Sequence, residues 1–151
     1  MPLSIGDPAP AFTLPTDTDT SVTLSDFLGK YVIVYFYPKD ATPGCTTEAC
    51  SFRDEKPNFD QRNTVIIGIS KDSIKSHKKF KEKEQLNFIL ASDETGEVCE
   101  KYGLWVEKSM YGRTYFGIAR STFLIDEAGK IAQIWRNVSV TGHVSEVLKS
   151  V

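Results

Sequence analysis

The chain has 151 residues, the length of one domain, and 40% of them are hydrophobic, enough to bury a single sizeable core. Its 18 Lys and Arg against 20 Asp and Glu leave a formal net charge of -2, which offers nucleic acid or an anionic membrane no electrostatic footprint. The longest apolar run, YVIVYFY from Tyr31 to Tyr37, is far too short to span a bilayer.

In chain order, the opening MPLSIGDPAPAF has neither the basic nor the apolar region of a secretory signal, so a cytoplasmic protein is expected. Gly29 closes a short helical stretch that Ser25 can cap. Tyr31 to Tyr37 then reads as a strand buried on both faces. Helical spacing runs from Thr42 to about Asn63, with an interruption expected at Pro57. TVIIGIS, Thr64 to Ser70, is a second buried strand, and Ser73 to about Gln85 a charged amphipathic helix. The basic run in that helix, Lys75 to Lys83, is accompanied by Glu82 and Glu84 and reads as a solvated face. NFILAS is a third strand. Asp93 to Tyr102 is a short helix that Ser92 or Asp93 can cap and Gly103 can end. STFLIDEAGKIAQIWRN is a hairpin around DEAGK, and His143 to Ser150 a last helix.

No repeat or linker divides the sequence, so one domain over residues 1–151 is expected. Buried strands alternating with helices argue for an α/β fold, a central mixed β-sheet flanked by helices on both faces. In such sheets chemistry collects where strands end and helices begin. The loop PKDATPGCTTEAC follows the first core strand at that kind of position.

Thr42 suits an N-cap, Pro43 the first helical position, and Gly44 removes bulk beside the site. Cys45 then lies in the first turn, among backbone N–H groups that have no intrahelical partner. Those donors and the positive end of the helix dipole favour a thiolate, the nucleophilic form. The Thr42 hydroxyl can reach the sulfur or a bound substrate oxygen. The plain alternative is a small buried core thiol.

On one continuous helix, the Cα atoms of Cys45 and Cys50 would stand roughly 8–9 Å apart, beyond the ~7 Å reach of a disulfide. Cys50 is therefore either core filler or a resolving thiol that joins Cys45 only when the helix unwinds after oxidation to a sulfenic acid. A zinc site would have to recruit Cys99, His77 or His143, each alone on a different element, which fits zinc spacing poorly. The absence of Cys-x-x-Cys argues against a thioredoxin-type disulfide reductase. Arg120 reads as a strand-edge charge, and Arg53, Arg62, Arg113 and Arg136 offer no basis for choosing among the arginines.

FYPKDATPGCTTEACSFRD resembles the active-site segment of the peroxiredoxins, in particular the bacterioferritin-comigratory (Q-type) subfamily. The motif of Pro, three residues, Thr, two residues and Cys falls on Pro38, Thr42 and Cys45. GDPAPAFTLP, GISKDSIKSHKKF, FILASDETGEVCEKYGLW and RSTFLIDEAGKI extend the likeness over essentially the whole chain. The resemblance implies a thioredoxin-like fold and a peroxidase that needs no metal, haem or flavin. Cys45 would be the peroxidatic cysteine, Thr42 its hydrogen-bonding partner, and Pro38 a shield against water. Arg120 would stabilise the thiolate and the charge developing on the peroxide.

Cys50 would be the resolving cysteine of an intramolecular disulfide, with Cys99, read as a half-buried free thiol, the alternative partner. Glu48, one turn after Cys45, would orient neighbouring groups or stand as an exposed helix acid. The implied partners are a hydroperoxide and thioredoxin or a similar dithiol, acting on a monomer or at most a weak dimer. A redox-sensing switch without sustained turnover is the rival from another class. A thiol–disulfide oxidoreductase is the third.

Overall fold

The computed structural model describes residues 3–151. Five strands form its central sheet: β3 (Tyr31–Phe36), β4 (Thr64–Ser70), β5 (Ile89–Ser92), β8 (Ser121–Ile125) and β9 (Ile131–Trp135). Their order is β5-β4-β3-β8-β9, with β3, β4 and β5 parallel and β8 and β9 antiparallel to their neighbours. Two ribbons stand outside it, β1 (Thr13–Pro15) with β2 (Ser21–Thr23), and β6 (Trp105–Met110) with β7 (Arg113–Ile118). The helices are α1 (Pro43–Gln61), α2 (Ile74–Glu84), α3 (Glu97–Lys101) and α4 (His143–Lys149).

Side chains alternate across a strand, and β3 is apolar on both sides. Val32, Val34 and Phe36 join one core with Leu14, Val22, Val98, Cys99 and Tyr102, beneath the first ribbon and α3. Ile33 and Tyr35, with Tyr37 just beyond the strand, join the other, with Ala49, Phe52, Phe80 and Val147 from α1, α2 and α4. The fold is the thioredoxin-like α/β arrangement, with helices on both faces of a mixed sheet.

Local details depart from expectation in three places. Ser25 caps nothing: the segment is a 3-10 turn over Leu24–Phe27 with Thr23 at its N-cap. The short helix expected from Asp93 begins only at Glu97, although the Asp93 carboxylate still accepts the N–H groups of Val98 and Cys99. Pro57 does not interrupt α1, which runs through it. A proline strands the carbonyl four residues earlier, here that of Arg53, and the Asn87 side-chain amide donates to that oxygen at 3.2 Å.

Both ribbons are additions to the elements expected from the sequence. The turn between β6 and β7 has two residues at positive φ, Tyr111 at 53° and Gly112 at 77°, the geometry of a tight type I′ hairpin.

Candidate active site

The β3–α1 loop is held from beneath by buried polar groups. The Asp40 carboxylate accepts from the Tyr37 hydroxyl at 2.6 Å, from Ser76 Oγ at 2.8 Å and from His77 Nδ1 at 2.7 Å. Its own N–H donates to Asp72 Oδ2 at 2.8 Å. His77 Nε2 donates to the Ala91 carbonyl at 2.9 Å. Ala41 then takes a positive φ of 62°, and the chain enters α1 through Thr42, whose carbonyl accepts the Thr46 N–H at 2.8 Å.

Thr42 occupies the N-cap, as expected, but its side chain caps no helical N–H. Its hydroxyl donates instead to the Lys39 carbonyl at 2.9 Å, closing the loop. Pro43 is the first helical residue, and Cys45, in the first turn, is buried on the inner side of α1.

Arg120 reaches Cys45 from the other side of the sheet junction. Ser121 pairs with Phe36, so the residue before β8 comes level with the end of β3. The Arg120 carbonyl accepts the Val138 N–H at 2.9 Å, which fixes the backbone. Its guanidinium forks: Nη2 donates to Cys45 Sγ at 3.2 Å and Nη1 to Glu48 Oε1 at 2.6 Å. Gly44 makes room for this, since a Cβ there would sit 3.2 Å from Arg120 Nη2.

Glu48 is therefore not an exposed helix acid. It is fully buried, and its Oε2 has no hydrogen-bond partner among the described residues. Burial pushes its carboxyl from the ordinary 4.5 up to about 7, against the pull of Arg120. The one-turn spacing from Cys45 is visible in the sequence; its arginine partner, 72 positions away, is not.

Pro38 is exposed and forms one wall of an open cleft of about 310 Å³, with Lys71, Trp105, Lys108, Phe116 and Ile118 among the others. Lys108 is held below the ordinary lysine value by burial and then by the Arg120 charge. Nothing in its local sequence marks it as a neighbour of the site.

Cys50 is half-buried, with its thiol donating to Glu84 Oε1 on α2 at 3.6 Å. Burial raises its pKa, Arg53 opposes the rise, and the Glu84 contact adds to it. All three cysteines are free thiols, and Cys45 and Cys50 lie on one continuous helix. Cys99 is not half-buried but fully so, in the core on the opposite face of the sheet from Cys45.

The residues a zinc site would need are dispersed. His77 is engaged by Asp40 and Ala91, and His143 Nε2 is bonded to Thr122 Oγ1 at 2.8 Å. Asp40, Asp72 and His77 do place potential ligand atoms within 4.8 Å of one another, yet those atoms are already spent on the hydrogen bonds that shape the loop.

The site thus joins a cysteine sulfur at a helix start and a cation 3.2 Å from it, with an open cleft at Pro38, in the loop that leads to that helix. Residues 5–134 match the AhpC/TSA family. The chain is 49% identical over 150 residues to peroxiredoxin Bcp of Bacillus subtilis, covering 99% of this chain and 96% of that one. It is 47% identical over 147 residues to peroxiredoxin Bcp of Escherichia coli K12, covering 97% and 94%. A crystal structure of a Xylella fastidiosa PrxQ mutant superposes with a TM-score of 0.93 at 40% identity, over 99% of this chain and 95% of that one. The chain belongs to the AhpC/TSA family and, within it, to the peroxiredoxins of the bacterioferritin-comigratory type.

Proposed function

We propose that Cys45 carries the thiol peroxidase activity of this peroxiredoxin and that Cys50 resolves its oxidised form. The observation that carries the reading is the Arg120 fork, which sets a fixed positive charge 3.2 Å from the sulfur. The Cys45 thiolate attacks one oxygen of a hydroperoxide, the O–O bond breaks, and the other oxygen leaves with a proton as water or alcohol. Arg120 stabilises the negative charge that spreads over the peroxide oxygens in that step. The Thr42 hydroxyl, donating to Lys39, keeps lone pairs with which to accept a hydrogen bond from the peroxide O–H. Pro38 forms a wall of the entrance and limits water.

The sulfenic acid on Cys45 then condenses with the Cys50 thiol, releasing water and leaving a disulfide. On the intact helix the two Cα atoms are roughly 8–9 Å apart, so the first turns of α1 unwind for this step. Thioredoxin or a similar dithiol returns two electrons and two protons to complete the cycle. We further place the protein, as one domain over residues 1–151 and as a monomer, in the cytoplasm, where thiol reductants operate. Among the described residues no helix is long and apolar enough to cross a membrane.

Peroxide consumption with excess dithiothreitol, followed by intact mass after one equivalent of peroxide alone, tests this reading. The expected result is many turnovers by the native protein, none by Cys45→Ser, and a mass loss of about 2 Da mapping to Cys45 and Cys50. Consumption of a single equivalent without turnover would instead describe a redox sensor.

A further inference from the structure

Helix α2 carries five lysines, and they fall into two groups. Lys78 pairs with Asp19 at 2.7 Å and Lys81 with Asp17 at 2.8 Å. Lys75, Lys79 and Lys83 are exposed and form no ion pair with any described residue. Spaced by four, they stack on one face, where like charges weaken a helix. They line a cleft of about 440 Å³ together with Asp40, Ala41, Ser73, Ser76 and Phe80. Asp40 does not neutralise them, because its carboxylate is taken up by Tyr37, Ser76 and His77. The fold thus keeps three uncompensated cations side by side.

Their position matters as much as their charge. One end of the cleft is the Asp40–Ala41 loop that leads into Cys45. At the other end Lys83 adjoins Glu84, the residue whose carboxylate receives the Cys50 thiol. A macromolecule resting on this face would span the approach to both sulfurs.

We infer that the Lys75–Lys79–Lys83 face of α2 is the docking surface for an acidic protein dithiol that regenerates the enzyme. This rests on the Cys45–Cys50 cycle proposed above. Carboxylates on the partner neutralise the three stacked cations and bring its thiolate to the disulfide. That thiolate attacks one sulfur and the other departs as a thiol. The partner's second thiol then closes its own disulfide, so two electrons and two protons pass to the peroxiredoxin. A small dithiol such as dithiothreitol needs no such face.

The test uses an acidic thioredoxin with its reductase and NADPH, in parallel with dithiothreitol, on the native protein and a Lys75→Glu/Lys79→Glu/Lys83→Glu variant. The variant is expected to raise the KM for thioredoxin about tenfold, as reversal of rim charges does. Its kcat and its dithiothreitol-linked turnover should match the native protein. The native KM should climb between about 50 and about 300 mM NaCl, and the variant's should not. A thioredoxin KM within about twofold of native, or an equal loss with dithiothreitol, would overturn the assignment. Failure of the native protein to turn over with dithiothreitol would refute the peroxidase cycle itself, and the docking surface would fall with it.

Discussion

Arg120 serves two groups at once, donating to the Cys45 sulfur and to the Glu48 carboxyl, so its loss is felt twice. Arg120→Ala should slow the peroxide step by about 10²–10³, the usual effect of removing a charge-stabilising donor, read by stopped-flow oxidation. It should also cost about 3 kcal/mol of stability at pH 8, because a buried carboxylate loses its cation. At pH 6 denaturant titration should show a smaller loss, since Glu48 can then take up a proton. Glu48 also makes a prediction of its own. Its folded-state pKa, raised to about 7 by burial, means that between the ordinary carboxylate range and 7 the native chain holds a proton the unfolded chain has released. Stability therefore falls as pH rises through that window. Glu48→Gln should flatten the fall, leaving the protein about as stable as native near pH 4 and more stable by up to about 3 kcal/mol at pH 8. An unchanged pH profile in denaturant titrations would remove the buried charge from this account.

At the scale of elements, the loop that delivers Cys45 is moored to α2 and to the end of β5 through one histidine. His77 has a carboxylate at one ring nitrogen and the Ala91 carbonyl at the other. Both partners are acceptors, which favours the doubly protonated imidazolium below its folded-state pKa. Burial pulls its pKa down, but the Asp40 hydrogen bond and charge and the Ala91 carbonyl outweigh it and leave it raised. The stability from this pairing is complete below the ordinary histidine value and is lost as pH rises through the folded-state pKa. His77→Gln should cost about 3 kcal/mol near pH 6 and less at higher pH. Comparing it with native protein in the Glu48→Gln background separates the two titrations. Elements of this kind are unequally legible in sequence. β3 and β4 can be read because an apolar run of strand length needs cover on both faces, whatever supplies it. The β6–β7 ribbon lacks that mark: Met110, Tyr111, Tyr115 and Phe116 are exposed, and no alternation sets an inner face apart from an outer one. Pro57 misleads for a related reason, because the amide that satisfies the Arg53 carbonyl comes from Asn87, remote in sequence.

Across the whole molecule, the sheet divides the thiols. Cys45 and Cys50 are on α1, whose inner residues pack against one face, and Cys99 is in the core on the other. Burial also drives the Cys99 pKa well above the ordinary thiol range, with Asp93 adding to the rise. Cys99→Ser should therefore leave peroxide turnover and the mapped disulfide unchanged. A loss of donor-linked activity in that variant would mean that the sheet is not the barrier it looks. The place of Cys45 at a helix start is readable from Thr-Pro-Gly-Cys, since a helix start is a local property. The burial of Glu48 is not, and the meeting of Arg120 with Cys45 is legible only through the family resemblance, because each depends on how β8 lies beside β3. The clamp at the middle of α1 has a wider meaning. Arg53 Nη1 donates to the Glu84 carbonyl at 2.6 Å, the Arg53 carbonyl accepts from Asn87, and Phe52 stacks on Tyr35 at 4.6 Å between ring centroids. These contacts begin just past Cys50, so in the proposed cycle they would act as a stop, letting the helix fray back to the second thiol without peeling from the sheet. In the cycle proposed above, the rearrangement would then be a local event, a few residues melting and resetting while the middle of α1 stays clamped to the sheet.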